Sequence, residues 1–305
     1  GGVSGWGLCR IMNSSSMSIF IWRIIFVAVV LMTGIVFFLS RGNVPASIES
    51  QDSRLHIVAS FYPVAEFARQ VGGELVLVTN MTPQDVEPHE YQPTSRQVAE
   101  SYDADVFLYN GGGVDAWAAR LAPELDKKQI RVIELSTTVE EVLSSGTDPI
   151  ESSFITLDPH FWLDPVTAER EIDAIRAILS EADPTNAEIY KKNANTYNAK
   201  LAALDQSYKT GLATCDTRMV VTSHAAFAYL AKRYDFTVTA ISGLSPESEP
   251  SAGRLAEIAK LAKEEGIAYI FFETLVSPKL SETIAREVVA QTLVFNPLEG
   301  LTQEE

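Results

Sequence analysis

His89 in Glu87-Pro88-His89-Glu90-Tyr91, His160 in Asp158-Pro159-His160-Phe161-Trp162-Leu163-Asp164-Pro165, and His224 in Thr222-Ser223-His224-Ala225-Ala226-Phe227 each open or close a short turn-like motif. The chain has four histidines, and these three stand where an expected strand hands over to a loop or a helix. Glu299, in the loop after the last expected strand, is the candidate carboxylate beside them. Neutral imidazoles with one carboxylate form a tetrahedral donor set suited to Zn2+, whereas Mn2+ and Mg2+ favour more oxygen. Nickel and copper also bind imidazole, so the donor types bias toward zinc without deciding it. Glu273, at the end of another strand, is the rival carboxylate, and Asn296 is a weaker oxygen donor on the Glu299 loop. Successive candidates lie 71, 64 and 75 residues apart, nothing like a zinc finger, so a site has to be assembled from distant segments. The fourth histidine, His56, falls inside the first expected strand and reads as structural. Trp117 and Trp162 read as packing residues.

The elements that must position these groups alternate. Strands are expected at Leu55 to Ser60, Leu75 to Asn80, Val106 to Tyr109 and Arg131 to Leu135. Helices are expected from Phe61-Tyr62-Pro63 to Val71, closed by Gly72-Gly73, from Thr94 to Tyr102 and from Trp117 to Leu125. A polar, acidic loop, Ser136 to Leu157, carries no histidine. Two helices follow, Pro165 to Glu181 and a long one from Pro184 to Leu212 capped by Asp183. In the latter, Ile189, Tyr190, Tyr197, Leu201, Leu204 and Tyr208 recur near helical spacing, and its length suits a strut of roughly 40 Å between two lobes. The alternation resumes with strands at Met219 to Thr222, Thr237 to Ile241, Ile267 to Phe272 and Thr292 to Phe295, and helices at Ala225 to Tyr234, Ala252 to Glu265 and Ser277 to Val289. Continuous apolar strands alternating with amphipathic helices indicate parallel sheets covered on both faces, whose ligands collect beyond the carboxyl ends of the strands. His89, His224 and Glu299 belong on that rim, two ligands come from each lobe, and the prolines beside His89 and His160 restrict the backbone that presents the rings.

A length of 305 residues with 46% apolar content supports a sizeable core. A net charge of -16 argues against nucleic acid and anionic lipid as partners, because both polyanions need a basic surface. Cys9 and Cys215 flank the apolar segment and lack metal-type neighbours, so thiol chemistry is not expected.

Ile19 to Leu39 is apolar apart from Arg23, and its uncharged part, Ile24 to Leu39, is long for a signal-peptide core and short of the ~20 residues of a full span. Export follows from either reading, a signal peptide or an N-terminal membrane anchor. A peptidase site fits after Ala46, and no cysteine follows the run, which speaks against a lipid-anchored form. The expected organisation is upstream read-through at 1–16, with Met17 as a start, signal or anchor at 17–46, and linker at 47–54. A first lobe at 55–182, a linking helix at 183–212 and a second lobe at 213–305 complete it.

From Leu55 onward the chain resembles the metal-binding substrate-binding proteins of ABC transporters, the zinc/manganese group typified by ZnuA. The resemblance rests on Ala59-Ser60-Phe61-Tyr62-Pro63, Pro88-His89-Glu90-Tyr91-Gln92-Pro93-Thr94, Asn110-Gly111-Gly112-Gly113 with Trp117, Asp158 to Pro165, Tyr190-Lys191-Lys192-Asn193 with Tyr197, Ser223 to Phe227, and Asn296 to Thr302. It implies an α/β fold of two lobes joined by one rigid helix (cluster A-I), with the metal held between them by His89, His160, His224 and a carboxylate from the last strand's loop. Members with glutamate at the second or third histidine tend toward manganese, so three histidines here imply Zn2+ over Mn2+. Many zinc-specific relatives carry a histidine-rich loop where this chain has Ser136 to Leu157. Some place the fourth ligand, an aspartate, at the position of Asn296. Relatives also continue through a final helix beyond Thr302, without which apolar surface of the second lobe is exposed.

The function so implied is that of an extracytoplasmic, monomeric zinc receptor delivering its ion to an ABC permease, not an enzyme. Its rival from another class is a zinc hydrolase, with water in the fourth position and Glu299 as general base.

Overall fold

The computed structural model describes residues 53–139 and 157–302, and the apolar segment 19–39 and most of the acidic loop lie outside them. Among the described residues no helix is long and apolar enough to cross a membrane.

Short apolar strands separated by helices can pair only in parallel, and they do so twice. The first lobe runs β1 (Leu55–Ala59), α1 (Tyr62–Gly72), β2 (Val76–Asn80), α2 (Ser95–Ser101), β3 (Val106–Tyr109), α3 (Ala116–Asp126), β4 (Arg131–Glu134) and α4 (Pro165–Ala182). Its four parallel strands are ordered β2-β1-β3-β4. Side chains alternate across the sheet, so Ile57 and Ala59 join α1 and α4 in one core while Val58 and Phe107 join Trp117 and Leu125 of α3 in another. All four residues of β3 are buried, as a central strand covered on both faces requires.

The long helix α5 (Ala187–Leu212) then leads to β5 (Met219–Thr222), α6 (Ala228–Tyr234), β6 (Thr237–Ala240), α7 (Ala252–Glu264), β7 (Tyr269–Phe272), α8 (Lys279–Val288) and β8 (Gln291–Val294). The second sheet, also parallel, is ordered β6-β5-β7-β8, the same permutation as the first. At 26 residues α5 is roughly 39 Å long. Tyr190, Ala194 and Leu201 bury it in the first lobe's core, and further along it the Tyr208 ring packs, tilted, at 5.0 Å from that of Tyr234 of the second. The chain is a two-lobed α/β protein built on two parallel sheets.

Three boundaries depart from the sequence reading for physical reasons. The long helix begins at Ala187, not Pro184, because Pro184–Asn186 forms a tighter 3-10 turn. The carboxylate of Asp183 is drawn to the Tyr190 hydroxyl at 3.0 Å. The helix after β5 begins at Ala228 instead of Ala225, and the backbone ahead of it is tied to the second lobe by the His224 amide donating to Glu273 and the Ala225 amide to the Gly243 carbonyl. The helix expected from Thr94 starts at Ser95, with Thr94 and Gln97 forming a capping box.

Between the lobes, Asp164 is a junction. Its carboxylate caps α4 through the Val166 amide and the Thr167 hydroxyl, and accepts a two-pronged pair from Arg233 of α6 at 2.8 and 2.6 Å. Glu171 on α4 is different: it is fully buried and neither carboxylate oxygen has a hydrogen-bond partner among the described residues. Burial alone holds its pKa well above the ordinary carboxylate range. With the folded pKa above the unfolded one, its destabilising effect is absent below the unfolded value and grows as pH rises toward the folded one. Glu171→Leu is therefore expected to raise stability in urea at neutral pH by about 1–3 kcal/mol, with the gain shrinking toward pH ~4. A loss of stability at neutral pH would show that the carboxyl is satisfied by a buried water.

Candidate metal centre

In each sheet the chain leaves the second strand in the order (β1 or β5) toward an edge strand and returns on its other side, opening a crevice beyond the carboxyl ends. His224 follows β5 by two residues, His89 lies in the loop after β2, and Glu299 lies in the loop after β8. His160 precedes the 3-10 turn Phe161–Leu163 that leads into α4. The fold gathers all four, and one donor atom from each lies within 4.8 Å of every other.

The donors are arranged more tightly than that bound. His160 Nε2 is 3.3 Å from His89 Nε2 and 3.2 Å from His224 Nε2. Glu299 Oε1 is 3.4, 3.2 and 3.3 Å from the Nε2 atoms of His89, His160 and His224. A tetrahedron of donors at the zinc–nitrogen distance of roughly 2.0–2.1 Å has edges of about 3.3–3.4 Å. Glu299 Oε1 is buried and makes no hydrogen bond of acceptable geometry to any of the three rings, so its lone pairs and theirs converge on a common point. Such an arrangement suits a small cation with four nitrogen and oxygen donors. His160 and His224 are wholly buried and Glu299 is 2% exposed, whereas the His89 side chain, at 8%, gives the site its edge toward solvent.

A second layer aims the rings. Asp158 Oδ1 binds His160 Nδ1 at 2.7 Å, and Glu273 Oε2 binds His224 Nδ1 at 2.6 Å. A carboxylate on Nδ1 fixes the tautomer that leaves Nε2 free for a metal and increases its basicity. Glu273, the rival ligand in the sequence, thus stands behind His224, where it also accepts from the Ser223 hydroxyl and the His224 amide. Asn296 is engaged elsewhere, donating to Thr274 Oγ1 in the loop after β7 at 3.0 Å and accepting the Leu298 amide of its own loop at 2.9 Å. His56 is bonded to the Asp103 carbonyl and Thr79 Oγ1 at the amino end of β1, as a structural histidine. Trp117 packs on Phe107 and Tyr91 as expected. Trp162 does more than pack, because its Nε1–H donates to the Pro297 carbonyl at 2.8 Å.

Sequence reasoning missed Asp158, Tyr229 and Arg233. Tyr229 donates to the Asp158 carbonyl at 2.9 Å, so α6 grips the His160 turn at Asp158 and at Asp164. Asp158 was within reach of inspection, being two residues from His160 in a proline-bounded turn. Tyr229 and Arg233 carry no local signal.

The chain as a whole matches a known family. Residues 57–305 fit the family model for ZnuA, zinc-uptake complex component A, periplasmic. The chain belongs to the ZnuA family. Among curated members, it is 42% identical over 260 residues to the zinc-binding lipoprotein AdcA of Streptococcus pneumoniae serotype 4, matching 83% of this chain and 52% of that protein. It is 36% identical over 273 residues to the high-affinity zinc uptake system protein ZnuA of Bacillus subtilis, matching 87% and 85%. The chain thus spans about half the length of the AdcA relatives. The Zn(II)-bound ZnuA-like domain of Streptococcus pneumoniae AdcA superposes with a TM-score of 0.69 at 41% identity, covering 82% of this chain and 90% of that one. The laminin-binding adhesin Lmb of Streptococcus agalactiae, in a mutant form, superposes at 0.74 with 34% identity, covering 82% and 92%.

Electrostatics in the metal-free site set the terms for ion capture. Burial disfavours a charged His224, but Glu273 and Glu299 outweigh it and push its pKa up to about 10. Burial of His160 is likewise overcome, by Asp158 and Glu299. Burial would raise the Glu299 carboxyl, yet the three imidazoles hold it well below its ordinary range. A proton therefore occupies His224 at neutral pH, and an arriving cation has to displace it. Zn2+ binding near pH 7 is expected to release about one proton or more, read by calorimetry in buffers of different ionisation enthalpy. The sign follows: raised imidazole pKa values protect the empty site at low pH, so affinity climbs with pH through the neutral range. Affinity that stays flat between roughly pH 6 and 8 would contradict it.

Proposed function

We propose that this protein is an extracytoplasmic zinc receptor that captures Zn2+ between its two lobes, with His89, His160, His224 and Glu299 as ligands, and delivers it to the permease of an ABC transporter. The observation that carries the reading is that five of the six separations among three Nε2 atoms and Oε1 are 3.2–3.4 Å, the edge length of a zinc-sized tetrahedron, with all four donors within 4.8 Å of one another. Relatives bearing the names zinc-binding lipoprotein and high-affinity zinc uptake system protein support the same cargo. Zn2+ is transported ligand here and Mn2+ the weaker competitor, since manganese favours more oxygen donors than one carboxylate supplies. The protein works as a monomer, with 55–182 and 213–305 as lobes and 183–212 as the linking helix; residues 17–46 provide the export signal or membrane attachment. A rigid α5 permits modest closure, and delivery proceeds by disturbing one lobe's ligands.

Four converging protein donors leave no position for a hydrolytic water, which favours a receptor over a hydrolase. Metal content and competition between Zn2+ and Mn2+ in the purified protein test the reading. One tightly held zinc that manganese does not displace is expected, and Glu299→Ala should lose zinc affinity. A hydrolase using Glu299 as base would instead retain zinc in that variant and lose turnover.

A further inference from the structure

The donors of the proposed zinc site come from opposite lobes, and one side chain touches the carriers of two of them. Trp162 is buried, at 6% exposure, in the turn that begins with His160. Its ring lies 5.2 Å from the His160 ring at an interplanar angle of 53°, and its far side is closed by Phe61, edge-on at 5.1 Å. Its Nε1–H reaches 2.8 Å to the buried carbonyl of Pro297, two residues before Glu299 and 135 residues away in sequence. Between them Leu298 has φ of +58°, a left-handed conformation that branched side chains rarely adopt. Its amide is tied back to Asn296 Oδ1, and Gly300 is packed closely against Leu275. A turn with an unfavourable backbone stays put only while its surroundings hold it, and the Trp162 bond comes from the other lobe.

We propose that Trp162 is a positioning residue that couples the two lobes' ligands, its ring fixing the tilt of His160 and its indole N–H holding the Pro297-Leu298-Glu299 turn so that Oε1 sits at the fourth corner. This rests on the zinc-receptor reading of the site. His160 is already fixed at Nδ1 by Asp158, so its remaining freedom is rotation across the plane that Trp162 blocks. Glu299 accepts no well-formed hydrogen bond at Oε1, so its place depends on its backbone, and that backbone is held by Trp162. Phenylalanine can replace the packing and cannot replace the donor. Without the donor, Glu299 withdraws and the site falls back to three imidazoles and solvent, a set less selective for four-coordinate ions.

The test compares the wild type, Trp162→Phe and, as a control in the same lobe, Trp117→Phe. Trp162→Phe is expected to bind Zn2+ about 10- to 100-fold more weakly, chiefly through faster release, in the range seen for residues that orient metal ligands. Its Co2+ complex should lose the intense visible absorption of a tetrahedral ion, while Trp117→Phe keeps it. In a Glu299→Ala background the same Trp162→Phe change should have at most a severalfold effect, because the residue acts through that carboxylate. An equal penalty in both backgrounds, or a wild-type cobalt spectrum in Trp162→Phe, overturns the proposal and leaves the receptor reading intact; a wild type that binds no metal overturns both. Hydrogen exchange of the Trp162 indole in the wild type needs no variant that folds. It should slow at least severalfold on zinc binding, and no change on binding also overturns the coupling.

Discussion

His224→Ala is expected to weaken Zn2+ binding by roughly 100- to 1,000-fold, because a binding free energy of about 10–16 kcal/mol shared among four protein ligands assigns each some 2.5–4 kcal/mol. The loss does not stop at one donor. His224 is the wholly buried ring on which Glu273 acts through Nδ1, and removing it strips that carboxylate, itself only 3% exposed, of its imidazole partner. Zinc affinity measured by competition with a chromophoric chelator checks the magnitude. An affinity within tenfold of the wild type would remove His224 from the ligand set. The expected behaviour also separates His224 from His56, whose ring nitrogens serve β1 and its neighbours, so that His56→Asn should leave zinc affinity unchanged.

Arg233→Ala is expected to cost about 2–3 kcal/mol of stability, seen as a lower urea midpoint with the same dependence on denaturant. Asp164 is 2% exposed and the Arg233 side chain 30%, so truncating the arginine strands a nearly buried carboxylate and the cost lies toward the lower end for buried pairs. The two-pronged geometry at 2.8 and 2.6 Å matters, since lysine cannot reproduce two parallel N–H donors. Arg233→Lys should recover only part of the loss. Asp164 retains its cap on Val166 and Thr167 in both variants, which confines the damage to the junction between α6 and the His160 turn. Stability unchanged in Arg233→Ala would show that the pair contributes nothing net, as many ion pairs reachable by water do. Because Tyr229 and Arg233 both grip that turn, the same variant should also release zinc faster, through the backbone that presents His160.

What the sequence determined by itself is local or periodic. Apolar runs of strand length separated by helical patterns force parallel pairing, since strands joined by helices cannot meet as hairpins. Strand β3 and the strand Met219–Thr222 therefore fall where the pattern puts them. The donor types were legible for the same reason. Histidine is scarce in this chain, and three of four copies stand at strand ends or in proline-bounded turns where parallel sheets present their ligands. The sequence reading put Glu299 with the rings, and tertiary structure decided what part its rival Glu273 takes. Glu273 follows β7 at once and Glu299 lies in the loop after β8 of the same sheet, and the resemblance preferred Glu299 without showing what Glu273 does. The choice depends on how far each loop reaches and which nitrogen of His224 it meets: Glu273 reaches Nδ1 and Glu299 the Nε2 side. The late start of the helix after β5 was also beyond the local pattern, because the backbone ahead of it is tied by long-range bonds to Glu273 and Gly243. The junctions that hold the lobes in register, Trp162 to Pro297 and Arg233 to Asp164, join residues 135 and 69 apart. Such contacts follow from the packing of two folded lobes, a property that no local window of sequence contains.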